Sequence, residues 1–347
     1  STLCILCFLC CPLFVFGEET EPSEEDEYYQ EQMEASGADE LPDSLPDETN
    51  ELLEGLGIGS LNADEFLNLS PDKLLNQALN IMGEQSRDPL RCVVSIIGIM
   101  LLCAFLQGMK VSFGEQDLTR IFGIVCVLMC IALMVSPILS CIHDASETIH
   151  GSFVFMTAFI PVLGSVMTVS GQTVTATSYS FLMLGASETI SALCSNFILP
   201  LLHIILALSI TSSAAPKLNT SGLTAFLHKT VKWILGFSMS IFVSIMSLQT
   251  IVGSASDTVA VKAAKFVVGS AIPVVGGALS EAITSVQSYL GLLKTTVGAF
   301  GIIAGAGIFL PIIIRIILWQ IGIQLCSAVG ELLGLSEISG LLKSVGS

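Results

Sequence analysis

The stretch Gln249-Thr-Ile-Val-Gly-Ser-Ala-Ser-Asp257-Thr-Val-Ala-Val-Lys262-Ala-Ala-Lys265-Phe-Val-Val-Gly-Ser-Ala-Ile-Pro273-Val-Val-Gly-Gly277-Ala-Leu-Ser-Glu281, continuing to Phe300, decides how the chain is read. It is apolar enough for a membrane, yet it carries Asp257, Lys262, Lys265 and Glu281 among glycines, serines and one proline. A simple lipid-facing helix does not tolerate that mixture. Charges at membrane depth are costly and normally face a bundle interior, an interface or water. Breaks at glycine and proline are accepted where other protein re-satisfies the freed backbone groups. Pro273, Gly276 and Gly277 are the candidate break here. Either 249–300 is a broken, buried element inside a helical bundle, or its polar part lies along the membrane surface.

Composition agrees with a membrane setting. Of the 347 residues, 52% are apolar and only 12% charged, and the mean hydropathy is +0.80. Those values indicate a multispanning membrane protein. The formal charge of −17 is unevenly placed: residues 1–90 carry 21 of the 30 Asp and Glu and two of the 13 Lys and Arg. The acidity belongs to one N-terminal region. With no basic patch and an acidic arm that would repel phosphates, nucleic acid is not an expected partner. The eleven cysteines lie in or beside apolar runs, four of them (Cys4, Cys7, Cys10, Cys11) in the first. A disulfide framework is not expected, and buried cysteine as a small apolar side chain is the better reading.

Working outward from the N-terminus, residues 1–17 read as a signal peptide cleaved after Gly17, with a first membrane helix as the alternative. Residues 18–50 are rich in Glu and Asp, with prolines at 22, 42 and 46, and are expected to be disordered. Residues 51–90 read as an amphipathic helical segment, a helix starting at Ser70-Pro71 with an apolar stripe through Leu74, Leu75, Ala78, Leu79 and Met82. A linker with transient helices is the other reading. Residues 91–347 form the multispanning domain.

Within it, 92–110 and 121–141 are membrane helices by length and apolarity. Lys110 and Arg120 flank their connection, and Asp144 and Glu147 follow the second. That places 110–120 in the cytoplasm and 142–151 outside. Residues 152–212 need an odd number of crossings, either three short spans or one crossing plus a re-entrant pair. Pro161, Gly164, Gly171 and Pro200 allow broken helices there. Residues 233–253 are another span. Residues 296–324 contain Gly301 and Gly305, whose spacing permits close helix packing. Arg315 could snorkel to the interface, and 325–345 read as amphipathic and interfacial. The fold class is therefore all-α: a polytopic membrane helical bundle with broken or re-entrant helices and an acidic, partly disordered extracytoplasmic N-terminal region.

No catalytic signature is present. The chain has no G-x-S-x-G, H-E-x-x-H, P-loop or Rossmann fingerprint, so neither an enzyme nor a nucleotide-driven pump is expected, and no cofactor. His143, Glu147 and His150 share a helical face and could hold a divalent metal, although nothing nearby completes a ligand set. Asp257, Lys262, Lys265 and Glu281, with Glu188 in Gly185-Ala-Ser-Glu188, are the better functional candidates. They line a transport path on one reading. On the other, they place an interfacial helix, its lysines at headgroup level.

The run Gln249 to Pro273, followed by Leu292-Leu-Lys-Thr-Thr-Val-Gly298, closely resembles the stage III sporulation protein AE family of endospore-forming bacteria. The resemblance extends over most of 90–345, while the acidic 18–90 region matches only loosely. Family members continue past this C-terminus into a further membrane helix, so a fragment or trimmed product is expected. The resemblance implies a membrane component of the stage III A channel complex between mother cell and forespore. It implies residence in the mother-cell membrane around the forespore and a role in forespore development. The other A-complex membrane proteins, membrane lipid and a second copy of the chain are the implied partners. A secondary transporter for a small solute is the alternative, because broken helices, buried charges and the lack of an ATP site suit it.

Overall fold

In lipid an apolar chain can satisfy its backbone polar groups internally only as helix or closed barrel. In this computed structural model, which describes residues 31–58, 71–109, 116–214, 221–271 and 276–346, no strand occurs among the described residues. The helices are α1 (Asp47–Leu56), α2 (Pro71–Gln85), α3 (Arg87–Met109), α4 (Gln116–Val169), α5 (Thr173–Leu193), α6 (Leu199–Ala214), α7 (Ser221–Ala271), α8 (Gly276–Leu332) and α9 (Ser336–Val345). Five helical stretches among the described residues are long and apolar enough to cross a membrane. The protein is thus an all-α polytopic membrane protein. The expected signal peptide, the first part of the acidic segment and Pro273 lie outside the described residues.

Several spans expected to be separate are continuous. α4 runs unbroken through 142–151, the expected external loop. The polar residues His143 to His150 contain no glycine or proline that would stop a helix, and Gly151 continues it. The region 152–212 is helical with one tight turn: the end of α4, the turn, and then α5 and α6. The turn is made by Gly171, whose φ of +80° suits glycine. Gln172 N donates to Met167 O at 2.9 Å and Gly171 N to Thr168 O at 3.0 Å, the closing pair of a Schellman cap. A π-helical turn, Cys194–Ile198, joins α5 to α6. It precedes Pro200, which lacks the N–H that a regular turn would use.

The chain divides into two compact units. Of the described residues, the first comprises 31–58, Val154–Leu184 and those within Met246–Ile308. Its core is aromatic and aliphatic: Phe155 stacks on Phe159 with ring centroids 5.5 Å apart and meets Phe300 edge-on at 6.4 Å. Gly301 makes room for the Phe159 ring, since a Cβ there would come within 2.1 Å of it. Gly305 has no such neighbour within 4 Å.

The acidic segment is more ordered than its composition suggests. From Ala38 to Ile58 it forms a strap whose Leu41, Leu45, Leu52, Leu53, Leu56 and Ile58 are all buried. Asp47 and Glu48 begin α1, where negative charge suits the helix N-terminus. Gly57, at φ +84°, ends it, with Ile58 N donating to Leu53 O at 2.9 Å. A Cβ at Gly307 would come within 3.1 Å of Thr49, so α8 receives the strap at a glycine. The leucine spacing outweighs the charge because the carboxylates point away from the buried face.

The second unit comprises Pro71–Phe153, Gly185–Ile245 and Phe309–Ser347. Its main core joins α3, the first half of α4, the end of α8 and α9, around Ile96, Met100, Cys130, Cys326 and Leu342. α9 follows a second glycine turn at Gly334, φ +72°, and its Ile338, Leu341 and Leu342 are buried. Cys103 and Cys126 are joined as a disulfide. This departs from the reading of every cysteine as a plain apolar side chain, and it links α3 to α4 where the two pack. Among the described free cysteines, Cys130, Cys194 and Cys326 are buried.

Candidate functional site

The most elaborate polar arrangement lies in the first unit, at the α4–α5 turn. α5 begins at Thr173, so its first amides have no partner within the helix. A side chain far along the sequence supplies one. Asp257, on α7, accepts Val174 N–H at Oδ1 and Thr175 N–H at Oδ2, both at 3.0 Å. It is 4% exposed. Gln249, two turns earlier on α7, donates through Nε2 to Thr175 O at 3.2 Å. Between them, a Cβ at Gly253 would come within 2.6 Å of Thr175 Oγ1 and 3.1 Å of Thr175 Cα. Gln249, Gly253 and Asp257 lie at i, i+4 and i+8, one stripe of a helix, and all three are buried.

α8 grips the same turn from another side. Lys294 Nζ donates to Gln172 Oε1. Ser170 Oγ donates to Leu290 O at 3.0 Å and to its own turn at Val166 O at 2.7 Å. A glycine-made turn is thus held by one carboxylate, one ammonium, two amide side chains and one hydroxyl. Burial pushes the Asp257 carboxyl up. The hydrogen bonds from Thr175 and Val174, with the Lys294 charge nearby, outweigh that and hold it below the usual carboxylate value.

Asp257 is buried and engaged, whereas Lys262 on α7 and Glu188 on α5 are exposed. Lys265 and Glu281 lie on α7 and α8, with side chains outside the described set. Gly276 and Gly277 open α8. Asp257 commits both oxygens to backbone amides, which makes it a clamp on a helix end. Reading the sequence missed Gln249, Lys294, Gln172 and Ser170. The four-residue spacing of Gln249, Gly253 and Asp257 was available as a signal. The Lys294–Gln172 pairing was not, because 122 residues separate the two.

In the second unit, Arg315 Nη1 pairs with Asp144 Oδ2, and Ser140 Oγ lies 3.4 Å from the same oxygen. Arg315 was expected to reach for an interface alone. Instead it meets a carboxylate from α4 that was expected in a loop. His143 Nε2 and Glu147 Oε1 are 3.4 Å apart on the exposed face of α4, and His150 is exposed. No group of three or more His, Cys, Asp or Glu among the described residues is placed to hold a metal.

Comparison with known proteins returns one family. The sequence model described as Stage III sporulation protein AE matches residues 60–347. That range includes every member of the α4–α5 clamp. Over 242 residues the chain is 26% identical to the Stage III sporulation protein AE of Bacillus subtilis (strain 168). The match covers 69% of this chain and 61% of that relative, so less than two thirds of the relative's length is represented. No solved structure matches.

Proposed function

The chain belongs to the stage III sporulation protein AE family, and from that premise we propose that it is an integral membrane component of the channel complex joining mother cell and forespore. In this reading it resides in the mother-cell membrane around the forespore, with its acidic N-terminal region extracytoplasmic. It assembles there with the other stage III A membrane proteins and supports forespore development. The observation that carries the reading is the conjunction of the family match over 60–347 with five apolar helical stretches in the same chain. The α4–α5 clamp around Asp257 is buried within the chain and holds that helix end in place.

The test is purification of the intact protein from sporulating cells in mild detergent, with co-purifying proteins identified. Recovery of the other stage III A proteins supports the assembly role. Recovery of this protein alone, as a monomer or homodimer, would overturn it in favour of a solute permease.

A further inference from the structure

The first turns of α7 have two unlike faces. This part of the helix belongs to the second unit. On one face Val231 packs with Cys194, Ile198 and Ile205, and Leu227 lies against the same cluster. On the other, Phe226, Lys229, Lys232, Trp233, Gly236 and Phe237 recur at steps of three and four residues, so they share one stripe. All six are exposed. Trp233 and Phe237 stack with ring centroids 5.1 Å apart, yet they are 65% and 53% exposed. The ring pair is a surface feature of the chain, not part of its core.

The charge pattern sets the level of this face in the membrane. Lys229 and Lys232 are the only Asp, Glu, Lys or Arg in the apolar stretch Gly222–Gln249. From Trp233 to Ser256 there is none, and no His. The two lysines therefore stand at the foot of an uncharged run of helix. Long side chains on a helix lean toward its N-terminus. Both ammonium groups thus reach away from the uncharged run, while their stems lie along apolar surface. Indole joins an apolar body to one N–H donor and settles where acyl chains meet headgroups. Trp233, one turn on from Lys229, marks that level.

Neither lysine has an ion-pair partner among the described residues, and α7 carries no acidic residue before Asp257. Two unpaired cations beside an interfacial indole complement a headgroup with net negative charge. A zwitterionic headgroup carries its own cation beside the phosphate and gains less. One lysine near an anionic surface is worth about a five-fold preference.

We infer that this face of α7 is an anchor for anionic phospholipid. Lys229 and Lys232 hold the headgroup phosphate, and Trp233 and Phe237 lie against the first carbons of the acyl chains. The anchor fixes the depth of a span that has little protein around it: only 6% of its window is buried.

The test reads the fluorescence of Trp233. The chain has two tryptophans, and Trp319 is 8% exposed, so Trp319→Phe leaves Trp233 as the reporter in the full chain. The purified protein is placed in vesicles of phosphatidylcholine and phosphatidylglycerol in equal parts, with bromine carried by one lipid or the other. Bromine near the headgroup end of the acyl chain should quench more than bromine near the methyl end. The relative affinity read from the quenching should favour phosphatidylglycerol severalfold. Lys229→Gln/Lys232→Gln should bring the two lipids to parity, and Lys229→Arg/Lys232→Arg should keep the preference. Stronger quenching from the methyl end, parity of the two lipids before the lysines are changed, or a preference that survives the Gln pair would each overturn the inference. So would a Trp233 shielded from both lipids, the result expected if another protein surface covers this face.

Discussion

Asp257 accepts the backbone amide of Thr175 across 82 residues of sequence, at 3.0 Å. A helix N-terminus is usually capped by a residue next to it in the chain. Here the cap arrives from another helix, so the local fold of the α4–α5 turn and the docking of α7 are one event.

Replacing this carboxylate should loosen both. Asp257→Asn can accept only one of the two amides, because its NH2 group would face the other. Asp257→Ala accepts neither. A buried amide left without an acceptor costs about 1–3 kcal/mol. The expected result is faster hydrogen exchange at residues 174–176, larger for Ala than for Asn, with normal membrane levels. Spore yield should fall with Asp257→Ala. Wild-type yield would show that the clamp is dispensable for function.

The same carboxylate gives a pH signature. Its folded value lies below the ordinary one. Its stabilisation is therefore complete above the ordinary carboxylate value and is lost as pH falls through that value and then through the folded one. Exchange at 174–176, corrected for its intrinsic pH dependence, should accelerate below about pH 4. In Asp257→Asn that acceleration should be absent.

Two glycines of similar appearance should respond in opposite ways to alanine. Gly253→Ala places a methyl 3.1 Å from the Thr175 backbone, and overpacking of this kind typically costs about 1–3 kcal/mol. Gly305→Ala meets nothing within 4 Å and gains up to about 1 kcal/mol of helix propensity. Thermal unfolding in detergent should separate them: a lower midpoint for the first, an equal or higher one for the second.

The Arg315–Asp144 pair should behave non-additively. Both side chains are largely covered, at 22% and 27% exposure. Arg315→Ala strands a carboxylate in an apolar setting, which is costlier than removing both charges. The double variant Asp144→Ala/Arg315→Ala should therefore unfold at a higher temperature than Arg315→Ala alone. A double variant that is the weaker of the two would show that the pair itself stabilises the helices.

Hydropathy made the helices legible but not their continuity. The charges at 143–150 look like a loop to any reading that assumes one membrane passage per apolar run. They sit inside α4 because a polar helix surface needs no turn. The strap was hidden for a related reason: Leu41, Leu45, Leu52, Leu53 and Leu56 are outnumbered by carboxylates, yet they face inward while the carboxylates are exposed. Asp257 stood out as a charge in an apolar stretch. Its partners did not, because Gln172, Thr175 and Lys294 are ordinary residues made special by contacts over 80 positions or more.

The strap also sets an order of events. Thr49 meets α8 at Gly307, a contact about 260 positions long in a family of contacts that are mostly helical and local. The strap is made early by the ribosome and its receiving surface almost last. Until Gly307 emerges, the strap leucines have no surface to cover, and the nascent chain must keep them from other partners. Assembly of the first unit is therefore a late step in biogenesis, and truncations that remove α8 should leave the acidic segment open to proteases.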